Sequence, residues 1–244
     1  NATEGKEGNK FTVIYTPENS NYASEEIEVI VNVAKAIPEV PELKVINAIY
    51  GDLLSKIDLG EGFSFDAIKS DENATVGNVG TNKFTVTYTP QNENFKTVED
   101  IEVVINVAKK AIKEENITVK FAYGENGQVA YDGEGKSLNV EVNINGITIE
   151  KGTDYEVEYS YKKYELGKYI DLEDINDTNI VIKDENGNNI PKGIGIYRAY
   201  ATIIGKENYT GRVQGTDKIE ITGEKLAGAI VTVKVPENLA YEDQ

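Results

Sequence analysis

The sequence predicts an all-β chain of tandem small β-sandwich, Ig-like modules, with room for one short helix in each. Three observations carry that expectation: an internal repeat, apolar residues that alternate with a period of two, and turn residues set between the alternating runs. The stretch NKFTVIYTPENSNY at residues 9–22 returns as NKFTVTYTPQNENF at 82–95, and IEVIVNVAK at 27–35 returns as IEVVINVAK at 101–109. The offset is 73 residues at Phe11/Phe84, 74 at Ile27/Ile101, and 72 between Asn1-Ala2-Thr3 and Asn73-Ala74-Thr75. Small insertions therefore fall between the matched blocks, where loops absorb them more readily than paired strands do.

Residues 38–72 have no earlier counterpart, so the first copy lacks its front half. Ala36-Ile37, Ala111-Ile112 and Ala229-Ile230 each open a unit. The expected organisation is a partial repeat at 1–36 (the C-terminal half of a module), a complete repeat module at 37–110, a larger Ig-like module at 111–224 with an insertion near 160–190, and the start of a further module at 225–244. On this phase both ends cut through a unit and the chain is an excerpt from a longer array; the alternative is a complete protein with one degenerate half-unit. The half-unit at 1–37 is expected to leave unpaired strand edges that pair with an adjacent module or with another chain.

Within the copies, Phe11, Val13 and Tyr15 alternate with Thr12, Ile14 and Thr16, and Ile27, Val29, Val31 and Val33 with Glu28, Ile30 and Asn32, which points one face of each strand to a core. Pro17 and Pro90 end strands, because proline donates nothing to a ladder. A helical turn fits Asp52 to Lys56, and Ala34-Lys35-Ala36-Ile37-Pro38 reads as a link. Further on, Asn145-Gly146 between NVEVNI and ITIEKG is a strong two-residue hairpin signal, and Asn186-Gly187 turns a second hairpin. Residues 155–159 alternate, 197–204 and 218–222 close the unit, and the polar stretch 161–179 reads as an insertion with space for a short helix.

The composition excludes whole classes of chemistry. The chain of 244 residues has no Cys, His, Met or Trp, so disulfides, thiolate or histidine-ligated zinc, cysteine nucleophiles and Ser-His-Asp triads are impossible. A formal net charge of −17 disfavours nucleic acid as a partner. No apolar run approaches the ~20 residues a membrane helix needs, so no membrane insertion is expected of this segment.

Four groups of residues carry candidate chemistry, and none is assigned a catalytic, cofactor-binding or metal role. Asp171, Glu173, Asp174, Asn176 and Asp177 offer oxygens at tight spacing for calcium or a paired-carboxylate hydrolase; the alternative is a hydrated acidic loop. Asp184-Glu185-Asn186-Gly187 has its glycine too early for an EF-hand. Gly124-Glu125-Asn126-Gly127 and Gly133-Glu134-Gly135-Lys136-Ser137 look like phosphate loops only superficially, because the earlier glycine of a P-loop falls near Val129 and no βαβ context surrounds it. Tyr159, Tyr161, Tyr164 and Tyr169 cluster in the third unit and are suited either to stacking on sugar rings or to core and edge packing.

The patterns YGDLLSKIDLGEGFSF, VGNVGTNKFTVTYTP and NFKTVEDIEVVINVAK resemble the tandem bacterial Ig-like, glycine-rich (MBG/YDG-type) repeats of Gram-positive cell-surface proteins. In the third unit Tyr131-Asp132-Gly133, Gly195-Ile196-Tyr197 and residues 205–211 (GKENYTG) carry the resemblance, with Phe63 standing where such repeats often have Trp. The resemblance implies an extracellular, surface-attached, non-enzymatic protein serving as stalk, spacer or adhesin segment, without a cofactor. The alternative is a carbohydrate- or protein-binding module, accessory to a surface glycan-degrading enzyme, with host or cell-wall glycans or proteins as partners. It also implies that the sequons at Asn1, Asn73, Asn116, Asn176 and Asn208 are incidental, and that intramolecular Lys-Asn crosslinks are conceivable, although no pair stands out in the sequence.

Overall fold

The computed structural model describes residues 8–122 and 125–223; the expected further module at 225–244 and the sequon at Asn1 lie outside them. The fold is all-β, and the helical segments among the described residues are 3-10 turns of three or four residues. The chain divides into two compact units. One takes in residues up to Ala111 together with Gly205–Thr210; the other runs over Ile112–Ile204 and resumes at Gly211.

The first unit holds β1 (Asn9–Tyr15), β2 (Glu25–Val31), β3 (Ile46–Ile49), β4 (Phe63–Phe65), β5 (Gly80–Tyr88), β6 (Val98–Ala108) and β7 (Lys110–Ala111). β1 and β2 make a two-stranded antiparallel hairpin, and β3, β4, β5 and β6 make a sheet in the order β3-β6-β5-β4. The duplication is visible in the register. Phe11 faces Val29 and Val13 faces Ile27 in the first hairpin; Phe84 faces Val103 and Val86 faces Ile101 in the second. The extra residue of the second copy is held inside a strand, at the start of β6, and not in a loop as expected. Pairing slips there between Val86 and Tyr88, and Asp100 takes φ +57°, which absorbs one unpaired residue as a bulge.

In the second copy the alternation works as the sequence implies. Val86, Val103, Ile105 and Val107 point to a core closed by Ala48, Leu54, Phe65 and Val76. The segment between β3 and β5 supplies that cover: a 3-10 turn at Leu54–Lys56, where a helical turn was expected, then β4 and a second 3-10 turn at Asp66–Lys69. The supposed link is not loose. Ala36 N–H donates to Asn94 O (2.9 Å) and Ala36 O accepts from Lys96 N–H (2.8 Å). The offset of 59 residues between Ala36 and Phe95 recurs between Ile46 and Ile105, so the incoming segment runs beside β6 in one parallel register. Pro38 and Pro41, which lack N–H groups, fall in the gap between those two contacts.

The second unit contains β8 (Ile117–Phe121), β9 (Gln128–Ala130), β10 (Leu138–Ile144), β11 (Ile147–Thr148), β12 (Tyr155–Glu165), β13 (Lys168–Asp171), β14 (Val181–Lys183), β15 (Asn189–Pro191), β16 (Gly195–Gly205) and β18 (Arg212–Thr222); β17 (Tyr209–Thr210) pairs with β7 and belongs to the first unit. A three-stranded sheet, β11-β10-β8, lies against a five-stranded sheet, β13-β12-β16-β18-β9. The rings of Phe121 and Tyr161 meet across the two sheets at 6.3 Å, and Leu138 N–H donates to the Tyr161 hydroxyl at 3.2 Å. Gly215 allows the close approach: a Cβ there would sit 2.4 Å from Val119. Asn145-Gly146 turns β10 into β11 with both residues at positive φ, as expected.

The stretch 161–179 is not an insertion between strands. β12 continues to Glu165, turns through Leu166-Gly167 (φ +50° and +84°) and returns as β13, with Tyr164 opposite Tyr169. A 3-10 turn at Leu172–Asp174 follows, and Asn186-Gly187 lies in the loop of the β14–β15 hairpin. The Leu-Gly turn escaped the sequence reading because leucine rarely adopts the left-handed region that this tight turn imposes.

Candidate binding surface

Strand parity sorts the tyrosines. On β12 the odd positions face inward: Tyr155 and Tyr161 are buried, and burial pushes the Tyr161 phenol up to about 12. Tyr197 on β16 is fully buried, its hydroxyl donating to Gly193 O at 2.7 Å, and burial raises its pKa as well. Of the four tyrosines singled out in the sequence, Tyr159 and Tyr161 therefore stack on the inner side, ring centroids 6.4 Å apart. Tyr164 and Tyr169 lie on the outer face, 5.1 Å apart.

That outer face brings together residues the tyrosine pattern alone did not reveal. Arg198 and Tyr200 alternate with the buried Tyr197, Ala199 and Ala201 on β16, so both project outward. The Arg198 guanidinium sits 4.9 Å from the Tyr169 ring centroid, and Lys162 Nζ lies 5.9 Å from that of Tyr200. Lys218 stands directly opposite Arg198 on β18. Like charges set face to face cost stability unless something offsets them, and here rings do so on one side. Asp171 stands opposite Lys162 and Glu220 lies two residues from Lys218 on the same face, so the basic groups have acidic neighbours. The alternation in YRAYAT was the signal that would have exposed Arg198 and Tyr200. Chemically, rings flanked by guanidinium and ammonium groups suit flat, hydroxylated or anionic partners.

In the acidic stretch Asp171, Glu173 and Asp177 spend oxygens internally, while Asp174 and Asn176 are exposed. Asp171 caps the 3-10 turn by accepting from Glu173 N–H (3.2 Å), Glu173 Oε1 accepts from Asn189 N–H (3.0 Å), and Asp177 Oδ1 accepts from Asn179 N–H (2.9 Å). Among the described residues no three acidic side chains are gathered as a metal ion would require. Asp184 organises the β14–β15 loop. Burial alone would raise its pKa, but hydrogen bonds from Asn188, Asn186 and Gly187 outweigh that and lower it.

The glycine motifs are structural too. Lys136, at 1% exposure, is buried with its Nζ 2.5 and 2.7 Å from the two Asp132 oxygens, so it closes a tight loop and cannot reach a phosphate. The Lys136 hydrogen bond in turn lowers the Asp132 pKa. In the other motif Gly124 lies outside the described residues, and Asn126-Gly127 form a positive-φ turn.

For a lysine-asparagine crosslink, Lys183 Nζ is 3.0 Å from Asn189 Oδ1. That lysine is exposed and also donates to Gly187 O (2.8 Å), and Asn189 Nδ2 donates to Leu172 O (2.9 Å). The sequon residues Asn73 and Asn176 are exposed, whereas the Asn116 and Asn208 amides accept from the N–H groups of Lys113 and Val79. No helix among the described residues is long and apolar enough to cross a membrane.

No protein-family model matches the chain, and no curated protein matches it.

Proposed function

We propose that the chain is a non-catalytic segment of an extracellular repeat protein of a bacterial surface, a stalk or spacer that carries tension and holds other domains away from the cell. One observation carries this reading: the incoming and outgoing strands of the first unit's sheet are parallel neighbours, Ile46–Ile49 beside Ile105–Ala108. Pulling the chain backwards at Ala36 and forwards at Ala108 slides these strands along each other. The contacts at Ala36/Asn94, Ala36/Lys96 and Tyr50/Ala108 are then loaded together instead of one after another. β9 and β18 of the second unit are likewise an early and a late strand in parallel, with Gln128 opposite Glu220. The acidic coat supports the same role by keeping neighbouring repeats apart.

The test is single-molecule pulling. Because the chain has no native Cys, handles can be placed at will. Handles at Ile37→Cys and Lys109→Cys shear β3 along β6; handles at Thr81→Cys and Lys109→Cys unzip β5 from β6. The expected result is a rupture force several-fold higher in the first geometry, with roughly 200 Å of chain released. Equal forces would remove the support for a load-bearing role.

We infer a second role for the outer face of the five-stranded sheet: contact with glycans or proteins through Tyr164, Tyr169 and Tyr200. Arg198 and Lys162 beside those rings favour it. Glycan-array binding that falls about tenfold or more in Tyr164→Ala and Arg198→Ala would support it; binding unchanged in both variants would remove it.

A further inference from the structure

The second unit makes the same tight turn twice with different residues. Asn145-Gly146 (φ +55° and +85°) joins Ile144 to Ile147, and Leu166-Gly167 (φ +50° and +84°) joins Glu165 to Lys168. Asparagine visits the left-handed region required at the first position; a leucine there is strained, because its Cβ crowds the backbone. Leu166 recovers nothing by packing. It is 97% exposed, the most exposed large apolar side chain among the described residues. Backbone strain that the fold does not need gathers at binding and switch sites.

The surroundings of the tip define what it fits. Tyr164 and Tyr169 pair across the strands behind it, and three lysines stand against one glutamate over residues 162–168. Lys168 flanks the leucine and is exposed, while Glu165 is held by Lys163 at 3.2 Å. An apolar anchor beside a lysine suits a socket with apolar walls and carboxylates next to them. The first unit has such a socket. A cleft of about 450 Å³ is walled by Pro41, Leu59, Phe63 and Tyr88, with the exposed Glu42 and Glu61 among its lining. Its shape is fixed by close contacts: the Phe63 and Tyr88 rings meet at 4.8 Å, and Thr89 N–H donates to Gly62 O at 2.8 Å. Gly62, at φ +85°, lets the loop lie against Tyr88, which a Cβ there would approach to 2.8 Å.

We propose that the Leu166 hairpin tip of one copy of this chain docks into the Phe63–Tyr88 cleft of a second copy, with Leu166 between the apolar walls and Lys168 facing Glu42 and Glu61. Tip and cleft are different surfaces, so the contact is heterologous and adds copies head to tail instead of closing a dimer. A contact this small is weak and reversible. It does not use Arg198, Lys162 or Tyr200, so it stands apart from glycan or protein binding by the outer face. It is equally independent of the tension-bearing role.

The experiment is sedimentation equilibrium of the full chain from about 10 μM to about 1 mM, in about 0.15 M salt to screen the net negative charge. The expected result is a weight-average mass that rises steadily with concentration. Leu166→Asn, and separately the double variant Glu42→Lys with Glu61→Lys, should associate at least about tenfold more weakly. Leu166→Asn should also raise the urea midpoint of unfolding, since asparagine accepts the turn; a lower midpoint would mean that the leucine serves the fold, and would overturn the proposal. Arg198→Ala should associate as the parent chain does, and a loss there would move the contact to the outer face and overturn it too. The decisive arm mixes the two weakened chains. The Leu166→Asn chain keeps its cleft and the double variant keeps its tip, so they should pair one to one while neither grows alone. No association of the unmodified chain, association untouched by Leu166→Asn, or no pairing in the mixture would each overturn the proposal.

Discussion

The two copies of the hairpin, β1–β2 and β5–β6, have nearly the same residues in the same register, yet one is bare and the other lines a core. The difference teaches that the period-two pattern specifies which face must be buried but not what buries it. For β5–β6 the cover is the segment before it in the chain, and the edge of β6 is closed by β3. Burying an aliphatic side chain fully is worth roughly 1.5–3 kcal/mol, so the second copy gains from Val86, Val103, Ile105 and Val107 what the first leaves in water.

The largest effect that could break this comparison is loss of the cover. Phe65→Ala is expected to destabilise the first unit by about 3–5 kcal/mol and Ile105→Ala by about 2–5 kcal/mol, read as a shift of the urea unfolding midpoint. Val31→Ala, the change at the repeat counterpart of Ile105, is expected to stay within about 0.5 kcal/mol. Comparable losses at Ile105 and Val31 would mean that the hairpin face is buried after all.

A smaller effect concerns acid. The Lys69 hydrogen bond, followed by that of Thr87, holds the Asp66 carboxyl below its ordinary value. Thr87 donates to Asp66 at 2.6 Å, and the matching position in the bare hairpin is Ile14, which cannot. A carboxyl with a depressed folded pKa contributes stability above its unfolded value near 3.9, and that contribution is lost as pH falls through the folded value. The first unit should therefore lose stability between about pH 5 and pH 3, by less than about 1 kcal/mol given the exposure of Lys69. Asp66→Asn should flatten that loss. An unchanged slope in the variant would assign the acid sensitivity elsewhere.

The smallest expected effect sharpens the comparison by its equality. Lys10–Glu28 and Lys83–Glu102 are exposed pairs on the outer faces. Lys10→Ala and Lys83→Ala should each shift unfolding by no more than about 1 kcal/mol, because covering the opposite face changes nothing around the pair. A much larger loss at Lys83 than at Lys10 would show that the two outer faces differ as well.

Much of this architecture was legible in the residues. The repeat, the strands ending before Pro17 and Pro90, and the Asn145-Gly146 turn follow from periodicity and turn chemistry. What was not legible depends on tertiary choices. The added residue became a bulge at Asp100 because β6 pairs with β5 both before it, at Val98, and after it, at Ile101. The polar run after Tyr161 hid a continuing strand, because an outward-facing row of Lys162 and Tyr164 carries no core signal. Lys136 was not recognisable as a buried side chain, because its partner Asp132 is fixed by a loop and not by a regular spacing. The outer face with Arg198 and Tyr200 was within reach, since it needs only the parity of YRAYAT.

Hydrogen exchange of the unmodified chain tests the central comparison most directly. Amides of Lys83–Val86 and Val103–Val107 should exchange orders of magnitude more slowly than their counterparts at Lys10–Val13 and Val29–Val33, since a covered sheet opens only with its unit and a bare hairpin opens on its own. Equal, slow exchange in the two copies would contradict it.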